Sequence, residues 1–176
     1  KKLHLLIVDK ALNDYHHIHP EYDKEKGVFV ASFIPNTQSE YNVWSNFKLQ
    51  ENGQNIVSKN ELLTTRNYNI TPLIQHTNFI ENDELKIELL ADPPLASGTN
   101  SNLICKIISK SGKPIKLEEI MGTQAHLVGF SKDGNSMIHC HPLEDKTSIK
   151  TNTHNTELQF HVAHEKEGFT KFFLQM

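Results

Sequence analysis

Two sets of three histidines occur at the same spacing in this chain. In each set, one histidine is followed 13 and 15 positions later by the two histidines of a His-x-His-Pro sequence, "HHIHP" in the first case and "HCHP" in the second. The sets are His4, His17 and His19, and His126, His139 and His141. Neutral imidazole is a common ligand of zinc and copper, and three imidazoles with an open fourth position form a recognised metal site.

The segment "HLVGFSKDGNSMIHCHP" predicts a β-hairpin that brings one set together. Its Asp133-Gly134 pair favours a two-residue type I′ turn, which needs positive φ at both central residues. Such a turn pairs Lys132 with Asn135. Counted back along both strands, this register places the first histidine of the set opposite the last, so their side chains share one face.

Strand alternation places all three histidines of each set on the same face. His139 lies two residues from His141, while Cys140 between them points to the other side. The first set keeps this register, with a looser loop in "DKALND". Met137 falls on the histidine face by parity, where its soft sulfur would favour Cu(I), although a methionine on such a strand is more often core. Trp44 is the other accessory candidate, with core packing as the default interpretation.

The composition of the chain narrows the classes of function. A length of 176 residues, 37% apolar residues and a net charge of −3 fit one or two soluble domains better than a nucleic-acid binder. The longest apolar runs are far below the ~20 residues of a membrane span. No signal peptide is visible, although the start at Lys1 could be a mature or trimmed end. Cys105 and Cys140 allow one disulfide or two buried free thiols.

Alternating apolar residues and frequent turn residues predict an all-β fold. The predicted strands cover residues 3–8, 15–19, 28–34, 41–47, 85–91, 102–109, 125–131, 136–141, 157–163 and 169–175. The stretch 58–83 is polar and irregular, which indicates a connection. The predicted organisation is a first unit at 1–67, a connection at 68–83 and a second unit at 84–176. An internal repeat with an offset of 122 relates the units, and after a seven-residue insertion it aligns "YNVWSNF" with "TKFFLQM".

These motifs resemble a family of bacterial exported proteins, mostly uncharacterised and often associated with heavy-metal handling. The similarity rests on H-L-x-V, H-x-H-P and an aromatic strand of the type Y-x-x-W-x-x-F, and it covers nearly all of the chain. It implies two immunoglobulin-like β-sandwich units, the first of them either partial or cut from a longer protein, and a periplasmic or cell-surface setting. The second aromatic strand departs from the pattern at Phe173 and Met176. Gln124 stands where such proteins often have Met, which removes a thioether ligand.

Two classes of metal-dependent function fit these residues. The first is a non-catalytic module that captures or buffers copper or zinc outside the cytoplasm, and delivers it to a metal exporter or oxidase. The second is an enzyme that uses the open coordination position to activate water or oxygen. No carboxylate stands at a matched position in both copies to act as a general base, which favours binding over catalysis. A third class is an interaction β-sandwich whose histidines are structural.

Overall fold

The computed structural model describes residues 3–62, 77–143, 149–151, 154–164 and 167–176. Over these residues the chain is all-β and its strand pairs are antiparallel, which confirms the predicted fold class. The chain divides into two compact units, Lys1–Ile74 and Gln75–Met176. In the part of the chain that is described, no helix is long and apolar enough to cross a membrane.

The first unit is built around one antiparallel sheet. Its strands are β1 (His4–Asp9), β2 (Tyr15–Ile18), β3 (Glu21–Asp23), β4 (Val28–Val30), β5 (Tyr41–Lys48) and β6 (Asn55–Leu62). Four of them form a sheet in the order β2-β1-β5-β6, and β3 and β4 form a separate hairpin. A single larger sheet among the described strands agrees with the expectation of a partial sandwich.

The second unit is a sandwich of two sheets. Its strands are β7 (Phe79–Glu81), β8 (Leu85–Asp92), β9 (Thr99–Ser109), β10 (His126–Ser131), β11 (Met137–Cys140), β12 (Ile149–Thr151), β13 (Asn155–His164) and β14 (Thr170–Gln175). They form a five-stranded sheet, β12-β13-β9-β8-β7, and a three-stranded sheet, β11-β10-β14. The core joins Leu103, Ile107 and Phe160 of the larger sheet to Leu127 and Leu174 of the smaller one.

The apolar residues of β9 show why this sandwich forms. Leu103, Cys105 and Ile107 alternate with more exposed neighbours, so every second side chain of the strand enters the core. Side chains along a strand point to opposite faces, and an antiparallel sheet can bury one face while the other meets water. Burial of these apolar side chains is the main favourable contribution to the stability of the unit.

Each of the ten predicted strands overlaps an observed one. β7 and most of β6 lie within the stretch 58–83 that was predicted to be irregular, and of the predicted connection at 68–83 the residues up to 76 fall outside those described. Most residues of β6 are exposed, so its sequence lacks the apolar alternation that would reveal a strand.

The internal repeat is visible in the pairing of the strands. In each unit a central strand, β1 or β10, lies between the second strand of its hairpin and a later strand. Leu6 pairs with Trp44 in the first unit, and Val128 pairs with Phe173 in the second. These positions correspond in the sequence alignment of the repeat, which confirms the offset of 122 and the seven-residue insertion.

Candidate metal centres

The register of the second hairpin agrees with the prediction. Leu127 pairs with Cys140 and Val128 with His139, so the next position outward sets His126 opposite His141. The direction of the Cys140 side chain is also as predicted, because it packs against the core of the second unit on the face away from the histidines.

The first hairpin has an equivalent register. Leu5 pairs with Ile18 and Leu6 with His17, so the next position outward sets His4 opposite His19. All three histidines of this set therefore share one sheet face, as do those of the second set.

The loop of the second hairpin differs from the predicted turn. The backbone N–H of Gly134 donates to the Ser131 carbonyl at 2.9 Å, and that of Ser131 donates to the Ser136 carbonyl at 3.1 Å. Gly134 has a φ of 65°, whereas Asp133 is not among the residues with positive φ, so the type I′ prediction is wrong. The loop is longer by one residue on each side, so the register of the strands is unchanged.

The loop of the first hairpin repeats this geometry. Leu12 N–H donates to the Asp9 carbonyl at 2.9 Å, and Asp9 N–H donates to the Asp14 carbonyl at 3.1 Å. Leu12 takes the place of Gly134 with a φ of 56°, so the expected looser loop is also wrong. A non-glycine residue there costs roughly 1 kcal/mol or more, and burial of the Leu12 side chain offsets it.

Backbone hydrogen bonding brings the opposed histidines close together. The residues at the base of each loop, Asp9 with Asp14 and Ser131 with Ser136, form hydrogen-bonded positions. These positions alternate with non-hydrogen-bonded ones along an antiparallel pair, and the opposed histidines fall on the latter, where Cα atoms are only ~4.5 Å apart.

Ring nitrogens of the first set converge on one point. His4 Nδ1 lies 2.8 Å from His17 Nε2 and 3.1 Å from His19 Nε2. Tetrahedral zinc with Zn–N bonds of ~2.0–2.1 Å holds its nitrogen ligands roughly 3.3 Å apart. Small shifts of the three rings would therefore admit an ion between these nitrogens.

The rings of the second set have the same arrangement. The His126 and His139 centroids are 5.6 Å apart with an interplanar angle of 21°, and the His141 ring meets both edge-on, at 4.8 and 5.0 Å. In the first set the corresponding pair is tilted by 30° at 5.1 Å, and His19 is edge-on at 4.4 and 5.6 Å.

In each set, two of the histidines lie close enough to share a metal ion. His4 and His17 offer ring nitrogens within 4.8 Å of each other, and so do His126 and His139. His126 is fully buried whereas His141 is exposed, so a ligand set in the second unit would span from the interior to solvent. The predicted convergence is confirmed, and the role of the six histidines as ligands stays a prediction.

Both accessory candidates lie on the histidine faces. Met137 pairs with Phe130, which sets it two residues before His139 on the same face. Trp44 is buried opposite Leu6, and Lys59 Nζ lies 5.8 Å from its ring centroid. Contact of either side chain with a metal stays a prediction.

Two buried carboxylates lie on the other face of the first sheet. Asp14 accepts hydrogen bonds from Tyr41 Oη at 2.6 Å and from Asn36, and His16 Nε2 lies 3.1 Å from the same carboxylate. Burial alone would raise the pKa of Asp14, but the bonds from Tyr41, Asn36 and His16 outweigh it and lower the pKa to about 2. Asp9, the other carboxylate, accepts bonds from the hairpin loop.

The two cysteines are free thiols rather than a disulfide. Both pack in the core of the second unit, and Cys140 Sγ donates to the His161 carbonyl at 3.3 Å. Burial raises the pKa of Cys105 to about 12 and that of Cys140 to about 11. A thiol that resists ionisation is a poor metal ligand, so sulfur from these residues does not enter the candidate sites.

Sequence reasoning missed two residues that hold the hairpin loops, Asp9 and Ser131. Each is the last residue of the strand that carries the first histidine of its set. Asp and Ser at the end of a strand are typical acceptors for loop amides, and both occur at the same place in the repeat.

A family model matches residues 80–176, and its description is "Domain of unknown function (DUF8832)". The matched residues lie in the second unit, from within β7 to the end of the chain. No curated protein and no solved structure matches this sequence.

Proposed function

This chain belongs to the DUF8832 family of domains of unknown function, and we propose that it is a non-catalytic module that binds copper or zinc. It has two sites of three histidines, one in each unit. His4, His17 and His19 are the ligands of the first site, and His126, His139 and His141 are those of the second. The observation that carries the proposal is the position of His4 Nδ1, 2.8 and 3.1 Å from the ring nitrogens of its two partners.

The chemistry of the three imidazoles limits which metals the proposed sites would bind. Imidazole suits zinc, copper, iron and nickel, whereas magnesium and calcium prefer oxygen ligands. Three neutral histidines leave a fourth position for water or for a ligand from a partner. Met137, on the face of the second site, favours Cu(I) there if its sulfur takes that position.

Binding is favoured over catalysis by the placement of the buried carboxylates. A metal-dependent hydrolase needs a general base near the metal-bound water. Asp9 and Asp14 lie on the opposite sheet face from the first histidine set, and their oxygens already accept hydrogen bonds. Neither is therefore placed to accept a proton at the site.

The setting and the partners of this module rest on the sequence resemblance. Similarity to exported proteins associated with heavy-metal handling supports a place in the periplasm or at the cell surface. A module there would hold the ion and pass it to a metal exporter or oxidase. Fractionation of the natural host, with immunodetection of the protein in each fraction, tests the location, and recovery in the cytoplasmic fraction would contradict it.

Isothermal titration of the untagged protein with Zn(II), Cu(II) and, without oxygen, Cu(I) tests the metal binding. We expect two equivalents in the wild type and one in His17→Ala or in His139→Ala. Loss of a directly bound imidazole should weaken the affected site by at least ~100-fold, because even changes beyond the ligands cost 10–100-fold.

The matched control is His161→Ala, which removes an exposed histidine of β13 that belongs to neither set. It should bind like the wild type. If the wild type and both triad variants bind every metal equally, or not at all, the histidines are structural and the proposal is wrong.

A further inference from the structure

In each of the two hairpin loops, the side chain of the residue that ends the preceding strand accepts two backbone amides. Asp9 Oδ1 accepts the backbone N–H of Asn13 at 2.6 Å and of Asp14 at 3.0 Å. Two successive amides of the loop are thereby tied to the end of β1.

The second hairpin uses a different side chain for the same bonds. Ser131 Oγ accepts the backbone N–H of Asn135 at 3.2 Å and of Ser136 at 2.9 Å. All three positions are related to those of the first loop by the offset of 122 that relates the histidines. The repeat has therefore kept an oxygen acceptor here although the residue type has changed. If this position had been retained by duplication alone, a change of residue type from one copy to the other would not be expected to preserve a side-chain oxygen that accepts these bonds.

The two acceptors are themselves oriented by neighbours. Thr37 Oγ1 donates to Asp9 Oδ2 at 3.2 Å, and Ser131 Oγ donates to Asp133 Oδ1 at 2.5 Å. With its hydrogen given to Asp133, the Ser131 hydroxyl presents its lone pairs to the loop amides. Asp133 Oδ1 also accepts the Asn135 N–H, at 3.0 Å, so this amide is shared between the two side chains.

The loop matters to the histidines because it sets the register of the strands. Side chains alternate with a period of two, so a slip of one residue moves a histidine to the other face of the sheet. The opposed histidines lie five residues from the residues at the base of each loop, Asp9 with Asp14 and Ser131 with Ser136. If a loosened loop took up one extra residue, the two histidines would no longer face each other.

We infer that Asp9 and Ser131 are positioning residues for the two histidine sites, acting through the hairpin loops that fix the register of the strands. This inference rests on the proposed function, and it identifies the side chains that make each site a preformed one.

The test isolates the second site in the full chain by placing every variant in a His17→Ala background. Ser131→Ala removes the acceptor, and Ser131→Thr restores a hydroxyl that can accept from the loop amides while it donates to Asp133. Ser111→Ala, which changes a serine in the turn after β9, is the matched control. Zn(II) affinity is measured by titration. The strand register in the metal-free protein is measured by the nuclear Overhauser effect between the Hα protons of His126 and His141.

We expect Ser131→Ala to lower the Zn(II) affinity about tenfold, as loss of roughly two modest hydrogen bonds predicts, and to weaken the Hα–Hα effect. Ser131→Thr should restore both, and Ser111→Ala should change neither. Unchanged affinity and register in Ser131→Ala would overturn the inference, as would folded Ser131→Thr protein without recovery. If the background protein binds no Zn(II), the proposed function fails, while loss and recovery of the Hα–Hα effect still decides the positioning role.

Discussion

Gly129 should not tolerate a side chain, because the ring of Phe172 occupies the space. A Cβ at this position would lie 2.7 Å from Phe172 Cε1 and 3.0 Å from Thr170 Cγ2, whereas carbon atoms pack best at about 3.5–4.0 Å. The strand cannot retreat, since Gly129 pairs with Ile138 on one side and with Phe172 on the other. Overpacking of this kind costs about 1–3 kcal/mol, and the better strand preference of Ala returns about 0.5 kcal/mol.

Gly129→Ala is therefore expected to destabilise the second unit by about 1–2 kcal/mol. A domain of about 100 residues loses roughly 4–8 °C per kcal/mol, so its calorimetric transition should fall by about 4–16 °C. Phe172→Leu in the same chain should relieve the clash and recover part of the loss. Gly98→Ala is the control, because a side chain there meets no atom within 4 Å and the cost comes from its φ of 70° alone. A Gly129→Ala protein that melts at or above the wild-type temperature would refute the packing argument.

The remaining predictions concern acidity, thiol reactivity and metal binding. The pKa of Asp14 is lowered to about 2 from an ordinary 3.8, so its contribution of up to about 2 kcal/mol is complete above pH ~3.8 and disappears as the pH falls towards 2. Urea unfolding should show this loss in the wild type, and an equal loss in Asp14→Asn would contradict it. Cys105 and Cys140 should resist iodoacetamide at pH 8 in the folded protein and react in urea, as counted by mass spectrometry, because burial raises their pKa values. Zn(II) affinity should fall at least tenfold between pH 7.5 and 5.5, because free imidazole gains its proton near pH ~6.5, and a pH-independent affinity would exclude histidine ligands.

The strand register could be predicted from sequence because strand parity survives changes in the loop. Asp133 and Gly134 indicated a two-residue turn, whereas the hydrogen bonds close at Ser131 and Ser136. Symmetric growth of the loop leaves the pairing of Val128 with His139 where the shorter turn would place it. Period-two alternation then decides which side chains share a face, whatever the turn type.

Features that depend on exposed or strained backbone were not predictable in this way. β3 and β6 are mostly exposed, so apolar alternation does not mark them. Leu12 adopts a positive φ that its sequence gives no reason to expect, because tertiary packing rather than local preference holds it there. The convergence of the histidine rings followed from alternation, but their nitrogen-to-nitrogen distances depend on rotamers that only coordinates specify.

Each repeat contains a hairpin and one later strand, which are β1, β2 and β5 in the first unit and β10, β11 and β14 in the second. The segment between the hairpin and the later strand differs between the two units, although the paired strands correspond. In the first unit it carries the β3–β4 hairpin, and in the second it carries β12 and β13, which join the other sheet. The turn of the β3–β4 hairpin is exposed and is closed by a bond from Gly27 N–H to the Asp23 carbonyl at 2.9 Å. A fluorescent domain grafted into this turn would be separated from His19 by Pro20 and the three residues of β3, so movement of the His19 ring on binding of the proposed metal would reach the reporter over a short path. The difference between the two units in this segment thus marks a place where a reporter can be inserted to convert the protein into an optical sensor.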